Sequence, residues 1–385
     1  MDTEHLGQVF TPQSIVFRML GLRQRLGTVL EPSVGNGAFW QHLRGEDAVG
    51  IEIDPKHCPS DCLNMDFFDY DVSHRFNTII ANPPYVAGKN ICASTRAKLT
   101  KLFPYKTNLY IHFIAKCLAH LNRYGELIFI TPRDFIKLTL AAPINNLMSS
   151  TGNITHWFEF GEDNPFTGPT AHNLVIWRFE KDYTGHKLTS VNDSARRMVN
   201  SNGQLMFVST DYSVPFSELF YVKVGAVSGA DKIFVDEKGN LDIVYSGTAK
   251  TGKTRKVYYD YFDDHLLGYR ERLKARQIRK FNDDNWFKWG RSLCTDNADR
   301  IYVNCKTRNR KPFFLHPCKN FDGAVLAVFP KKKIDLQKAC EMLNDVDWHD
   351  LGFGYGGRLI FNQRSLENSL LPASLVAEVL NGQTH

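Results

Sequence analysis

Over its first 180 residues the chain alternates strand-like with helix-like segments, and that alternation leaves few folds open. Strand, helix, strand in repetition must cross over the face of a sheet. It builds a parallel sheet with helices on both faces, an α/β architecture. Strand-like runs lie at 28–30, 48–52, 78–81, 126–131, 156–160 and 174–179. Between the third and fourth, residues 109–121 carry apolar side chains at helical spacing, with Gly125 soon after. The last two strands are joined too closely for a crossover helix, so an antiparallel hairpin at the sheet edge is expected.

Beyond Tyr183-Thr184-Gly185 the pattern loosens. Short β-like pieces at 205–208, 232–235, 301–304 and 324–329 alternate with loops, and one basic helix is predicted over 270–280. The expected organisation is a domain over 1–185 and a mixed α+β domain over 186–385. Charge follows the same division: 17 Lys+Arg face 18 Asp+Glu up to residue 185, and 30 face 23 beyond it. A neutral domain followed by a basic one fits a chain whose second half meets a polyanion, and it fits a solvated basic surface equally well.

No run approaches 18 apolar residues, and MDTEHLGQVF lacks a basic-then-apolar leader, so the expected location is the cytoplasm with no membrane partner. Of eight cysteines only Cys58 and Cys62 are close, with no second pair to complete a zinc site. Free thiols and no metal are expected.

In an open parallel sheet, ligands sit beyond the carboxyl ends of the strands. The first strand ends in Glu31-Pro32-Ser33-Val34-Gly35-Asn36-Gly37, whose glycines let backbone approach a ligand. Ala38-Phe39-Trp40 follow where a dinucleotide site would want a third glycine, so a nucleoside without phosphates fits better. The second strand ends in Glu52-Ile53-Asp54, placing a carboxylate where ribose hydroxyls can donate to it. Asp66-Phe67 at the third tip could bond an amino group and cover a ring. Asp66 serves equally as a turn cap and Phe67 as core.

The run Ile79-Ile80-Ala81-Asn82-Pro83-Pro84-Tyr85 carries the chemistry. Two prolines make a stiff, extended exit from the sheet. The Pro83 carbonyl and the Asn82 side-chain oxygen then form two acceptors facing one point, with the Tyr85 ring beside them. Such a pair suits a planar amine. Accepting both amino protons keeps the nitrogen lone pair out of its ring, nucleophilic enough to attack a methyl sulfonium carbon.

With these motifs in this order, the sequence resembles the class I S-adenosylmethionine-dependent N6-adenine DNA methyltransferases of the Taq-type gamma group, over about the first 180 residues. The resemblance implies a Rossmann-like methyltransferase sheet followed by a DNA-recognition domain. Thr11 and Pro12 of Gly7-Gln8-Val9-Phe10-Thr11-Pro12 would fold over the cofactor, with Thr11 at the methionine carboxylate. Glu31, Pro32, Ser33, Val34, Gly35 and Gly37 match its first motif, with Glu31 near the methionine ammonium. Glu52 and Ile53 match the ribose and adenine contacts, Asp66 and Phe67 the adenine clamp, and Asn82 with Pro84 also border the cofactor. Asn82, Pro83, Pro84 and Tyr85 match the catalytic motif, and Asn108-Leu109-Tyr110 the family's helix start. The loop Glu162-Asp163-Asn164-Pro165-Phe166-Thr167-Gly168-Pro169 is similar to the one whose aromatic stacks on an extruded adenine, which sets Phe166 opposite Tyr85.

Such an enzyme extrudes its target base from duplex DNA before methylating it. The implied protein is the monomeric modification enzyme of a restriction-modification system, with a cognate restriction endonuclease left open as partner. In the second half, Lys288, Trp289 and Arg291 interleave aromatic and cation, and are read as DNA contacts against the alternative of core tryptophans beside surface cations. Pro317-Cys318 resembles a cytosine-C5 nucleophile but lies outside any strand-tip loop, so Cys318 is read as structural. Rival readings are an RNA adenine or protein glutamine methyltransferase, which share the Asn-Pro-Pro-Tyr chemistry, and a DNA-binding specificity subunit with an inactive nucleotide fold.

Overall fold

The computed structural model describes residues 11–104, 106–160, 166, 174–185, 188–190, 196–209 and 211–381. The chain forms two compact units, 1–210 and 211–385.

The first unit is built on an eight-stranded sheet. Its elements in chain order are α1 (Gln13–Leu20), β1 (Val29–Glu31), α2 (Trp40–Leu43), β2 (Ala48–Glu52), β3 (Leu63–Asn64), β4 (Phe76–Ala81), α3 (Ala93–Lys98), α4 (Leu109–His120), β5 (Leu121–Pro132), α5 (Ala142–Thr151), β6 (Gly152–Glu159), β7 (Leu174–Lys181), β8 (Thr189–Ser190), β9 (Arg197–Ser201) and β10 (Gln204–Val208). Strand order is β3-β2-β1-β4-β5-β7-β6-β8. The pairs from β3 to β5 are parallel. β7 runs antiparallel between β5 and β6, so the expected hairpin is present with its second strand on the inside, but it is not the edge: β8 pairs parallel with β6 beyond it.

Burial explains why these runs are strands. In β4, Ile79 and Ala81 face one apolar cluster and Ile80 the other; in β5, Leu127 and Phe129 oppose Ile128 and Ile130; in β7, Val175, Trp177 and Phe179 oppose Leu174 and Ile176. Successive side chains of a strand point to opposite faces. A sheet covered on both faces therefore reads as continuous apolar sequence. α4 and α5 fill the first cluster, α1 and α2 the second.

The first unit runs past the composition shift near residue 185. The β9–β10 hairpin packs on it: Phe207 lies 4.8 Å from Trp157, ring centre to ring centre. Asn145 Nδ2 donates to the Gly203 carbonyl at 2.9 Å, and Asn200 Nδ2 to Ser149 Oγ at 2.6 Å. These contacts are long-range, and composition carries no trace of them.

The second unit is mixed α+β. A four-stranded antiparallel sheet orders Phe220–Val224, Val325–Pro330, Ile301–Asn304 and Phe313–Leu315. Two expectations give way here. The run 232–235 is a single helical turn, Asp231–Phe234, because four residues of mixed character carry no period to separate helix from strand. The basic helix over 270–280 is α-helical only at Arg270–Lys274. Arg276 is drawn inward instead: its guanidinium donates to the carbonyls of Leu273, Ser228, Trp286 and Lys288 and lies 3.9 Å from the centre of the Phe281 ring. Those bonds turn the chain off the helical path. Among the described residues no helix is long and apolar enough to cross a membrane.

Candidate active site at the strand ends

Beyond the carboxyl ends of β1, β2 and β4 opens a cavity of about 510 Å³. Its wall includes Thr11, Glu31, Pro32, Ser33, Val34, Gly35, Glu52, Ile53, Asp66, Phe67, Asn82 and Pro84. Twelve residues named from sequence thus converge on one space, as strand-tip placement in a parallel sheet requires.

The loop after β1 turns through Gly35 (φ +56°) and Gly37 (φ +78°). A Cβ on either would meet no atom within 4 Å, so the backbone angle alone demands glycine there. The turn points the Gly35 N–H at Glu52 Oε2, 2.7 Å away, and the Asp54 N–H meets Glu52 Oε1 at 2.8 Å. Glu52 is thereby fixed against the cavity with lone pairs to spare for ribose hydroxyls. Ile53, 45% exposed, offers an apolar surface beside it.

Glu31 differs. It is 1% exposed, and among the described residues neither carboxylate oxygen has a hydrogen-bond partner. Burial, then the charge of Glu52, pushes its pKa well above the usual carboxylate range. Leaving a buried carboxyl unpaired costs about 1–3 kcal/mol or more. A ligand ammonium in the cavity would remove that cost.

Asp66 borders the cavity and is a turn cap. Its Oδ1 accepts from the Phe68 N–H at 3.0 Å, capping a 3₁₀ turn over Phe67–Asp69, while Oδ2 accepts from Thr95 Oγ1 at 2.8 Å and Lys98 Nζ at 3.2 Å. Phe67 is likewise both buried core and cavity wall. Sequence reasoning passed over α3, which supplies Thr95 and Lys98 to Asp66, and the preceding Asn90, Ile91 and Cys92, which line the cavity. The Ser94 and Thr95 hydroxyls lower the pKa of the Cys92 thiol below its ordinary value. No motif marked this stretch; only its position after the prolines could have flagged it.

At the end of β4, Asn82 is held from both sides. Its Nδ2 donates to Thr11 Oγ1 at 3.1 Å. Its Oδ1 accepts from the Tyr85 hydroxyl at 2.6 Å, an oxygen that also lies 2.9 Å from the Ile130 carbonyl. Burial raises the pKa of the Tyr85 phenol well above its ordinary value, so it stays a donor. The Asn82 oxygen expected to await an amine thus carries the chain's own hydroxyl in this state. Pro83 is buried, Tyr110 packs edge-on to Tyr85 at 6.0 Å, and the Leu109 N–H bonds the Val86 carbonyl at 2.9 Å. These contacts pin the rigid loop to α4. Phe166 is buried in the cluster that Tyr85 borders, edge-on to Phe160 at 5.9 Å. The other residues of its loop, Glu162–Pro165 and Thr167–Pro169, and Gly7–Phe10, lie outside the described residues.

Other named residues lie elsewhere, and Pro83, Tyr85 and Phe166 do not line the cavity. Pro12 and Gly37 are not in the cavity wall: the Pro12 carbonyl accepts from Ile15 and Val16 to start α1, and that of Gly37 accepts from Gln41. Trp289 is 2% exposed, and its indole N–H donates to the Tyr258 carbonyl at 2.8 Å. A ring packed so deeply is core and cannot lie on DNA. Lys288 is half-buried and Arg291 exposed.

Comparison with known proteins agrees with this geometry. Residues 50–166 match the Eco57I restriction-modification methylase family. Type II methyltransferase M.HincII of Haemophilus influenzae is 28% identical over 222 residues, covering 54% of this chain and 44% of that protein. Type II methyltransferase M.TthHB8I of Thermus thermophilus is 24% identical over 317 residues, covering 72% of each. The chain therefore spans less than half the length of the first of these. The Type IIL restriction-modification enzyme MmeI, solved in complex with DNA, superposes with a TM-score of 0.56 at 14% identity, covering 92% of this chain and 64% of that one. That likeness concerns the fold.

Proposed function

We propose, from a chain that carries an Eco57I-type restriction-modification methylase domain, that this protein is an S-adenosylmethionine-dependent DNA methyltransferase acting on adenine N6. One observation carries the reading: the Asn82 amide borders the same cavity as a buried, unpaired carboxylate, Glu31. The residues fit the cofactor. Glu31 would take the ammonium, Glu52 the ribose hydroxyls, and Asp66 with Ile53 and Phe67 the adenine. Bound there, the cofactor supplies an electrophilic methyl group on a sulfonium.

The chain's own residues prepare the amine. Thr11, accepting from Asn82 Nδ2, orients the amide so that its oxygen faces the incoming nitrogen. The Tyr85 hydroxyl leaves Asn82 Oδ1 as the base enters, and its ring then covers the base beside Phe166. Stacking recovers about 1–3 kcal/mol per ring of the cost of extrusion. With both amino protons accepted by Asn82 and Pro83, the nitrogen lone pair is directed at the methyl carbon. The acceptors act where positive charge grows on the nitrogen.

The relatives named Type II methyltransferases support a DNA substrate and a restriction-modification setting. A monomer beside a separate endonuclease of the same site completes the reading; a dimeric mass in solution would contradict its first half. The test is labelled methyl transfer into duplex DNA followed by modified-base detection. N6-methyladenine at a fixed short sequence is expected. Label in RNA or in glutamine of a protein, 4-methylcytosine, or no cofactor binding at all would each overturn the reading.

A further inference from the structure

Several cations of the second unit serve the fold. Arg255 pairs with Asp322 at 2.7 Å, Arg270 and Lys274 share Asp283 at 2.6 and 2.8 Å, and Lys319 pairs with Asp299. Arg276 and Arg300 are buried and donate to backbone carbonyls. Four others are different. Arg308, Arg310, Lys311 and Arg358 are exposed, and among the described residues none of them pairs with a carboxylate.

The fold brings these four to one place. In a three-stranded sheet, Lys306–Thr307 pairs antiparallel with Arg358–Ile360, Lys306 with Ile360 and Thr307 with Leu359. The next step along each strand sets Arg308 beside Arg358. Gly354–Tyr355 forms the third strand and turns into Arg358 through Gly356 (φ +52°) and Gly357 (φ +69°). That two-glycine turn leaves a bare tip in open space, since a Cβ on either would meet nothing within 4 Å. The Asn309 N–H bonds Thr307 Oγ1 at 3.0 Å, which shapes the 308–311 loop. Beneath lies an interlocked aromatic layer: Phe313 is 5.3 Å from Trp348 and 5.6 Å from Phe361, and Phe353 is 5.1 Å from Phe361. No Asp or Glu occurs in 304–316 or 351–364.

Like charges on neighbouring strands repel and cost stability, so this grouping has no purpose within the fold. We propose that this sheet end, Arg308, Arg310, Lys311 and Arg358 around the bare Gly356-Gly357 tip, seats the phosphodiester backbone of duplex DNA. The inference rests on the reading of the protein as a DNA methyltransferase and says where its second unit grips the duplex. Rigid backing matters because cations on a fixed platform lose little freedom on binding.

The test measures DNA affinity of the full chain against salt for wild type, for R308Q/R310Q/K311Q/R358Q, and for the charge-keeping R308K/R310K/R358K. Each phosphate contact contributes about 0.9 to the slope of log affinity against log salt. The glutamine variant is expected to lower that slope by about 3–4 without changing cofactor affinity or the methylated sequence, and the lysine variant to restore it. An unchanged slope in the glutamine variant overturns the proposal. So does a relaxed methylated sequence in the lysine variant, which would mean that the loop reads bases. If wild type fails to methylate DNA at all, the reading of function falls first and takes this seat with it.

Discussion

Glu126 and Glu31 are buried to nearly the same depth at opposite ends of one sheet, 0% and 1% exposed. Glu126, on β5 beside Thr78, accepts from the backbone of Gln24 at 3.0 Å and Arg25 at 3.1 Å, from Thr78 Oγ1 at 2.9 Å and from Arg178 Nε at 2.7 Å. Arg178 is completed by Glu180 at 3.0 Å and Thr155 at 2.7 Å. Glu31, at the tip of β1, accepts from none of the described residues. A buried carboxylate with every lone pair engaged is architecture. One left bare in a cavity is held ready for a ligand, at the expense of stability. The bonds around Glu126 hold the sheet together, and the cavity at the carboxyl ends leaves Glu31 bare.

The largest effect that can break this comparison is at Glu126. Glu126→Ala removes one of the two carboxylates that neutralise Arg178 and leaves the Gln24 and Arg25 N–H groups without their acceptor, and should cost about 3–5 kcal/mol in denaturant unfolding. Cofactor affinity of the remaining folded protein should stay within a few-fold. Loss of cofactor binding without loss of stability would reverse the assignment.

Glu31→Gln should do the opposite. Losing a charged bond of about 1.5–3 kcal/mol lowers cofactor affinity by roughly 10–100-fold in calorimetry, while the cofactor-free protein becomes no less stable. A variant that binds cofactor as tightly as wild type would exclude Glu31 as the ammonium site.

The same pair differs with pH. Glu31 has its pKa raised by burial in the folded protein. Its contribution to stability is therefore full below the ordinary carboxylate range and is lost as pH rises through the raised value. Glu31→Gln should thus stabilise the cofactor-free protein only on the alkaline side of that window. Cofactor binding to wild type should release a proton within it, seen as a dependence of binding heat on buffer ionisation enthalpy. Equal proton release in the variant would contradict this.

The smallest effect concerns Tyr85. Tyr85→Phe keeps the ring and removes the hydroxyl that covers Asn82 Oδ1. A net hydrogen bond of about 0.5–1.5 kcal/mol should appear as a two- to tenfold lower KM for DNA with kcat nearly unchanged. A fall in kcat at constant KM would instead give the hydroxyl a part in the transition state.

Legibility followed the same line. β1, β2, β4, β5 and β7 could be read because both their faces are buried, leaving continuous apolar runs. The chemistry could be read because strand tips in a parallel sheet gather on one side, whatever the intervening sequence. α5 escaped although Pro143 opens it and Gly152 closes it, since its run lacks a strong apolar stripe. The end of the helix at Lys274 depends on where Arg276 finds its acceptors, which are distant in sequence. Trp289 looked like a surface aromatic because its cationic neighbours are close in sequence, whereas its own neighbours, such as Tyr258 and Phe234, are brought to it by the fold. The cations at 308–311 gained meaning only when the register set Arg358 beside them.

The most direct measurement is single-turnover methyl transfer by Asn82→Ala, with cofactor affinity determined on the same preparation. The account predicts affinity within a few-fold of wild type and a rate lower by roughly 10²–10³ or more, the scale seen when one transition-state hydrogen-bonding group is removed. A variant that still transfers methyl groups at close to the wild-type rate would contradict it.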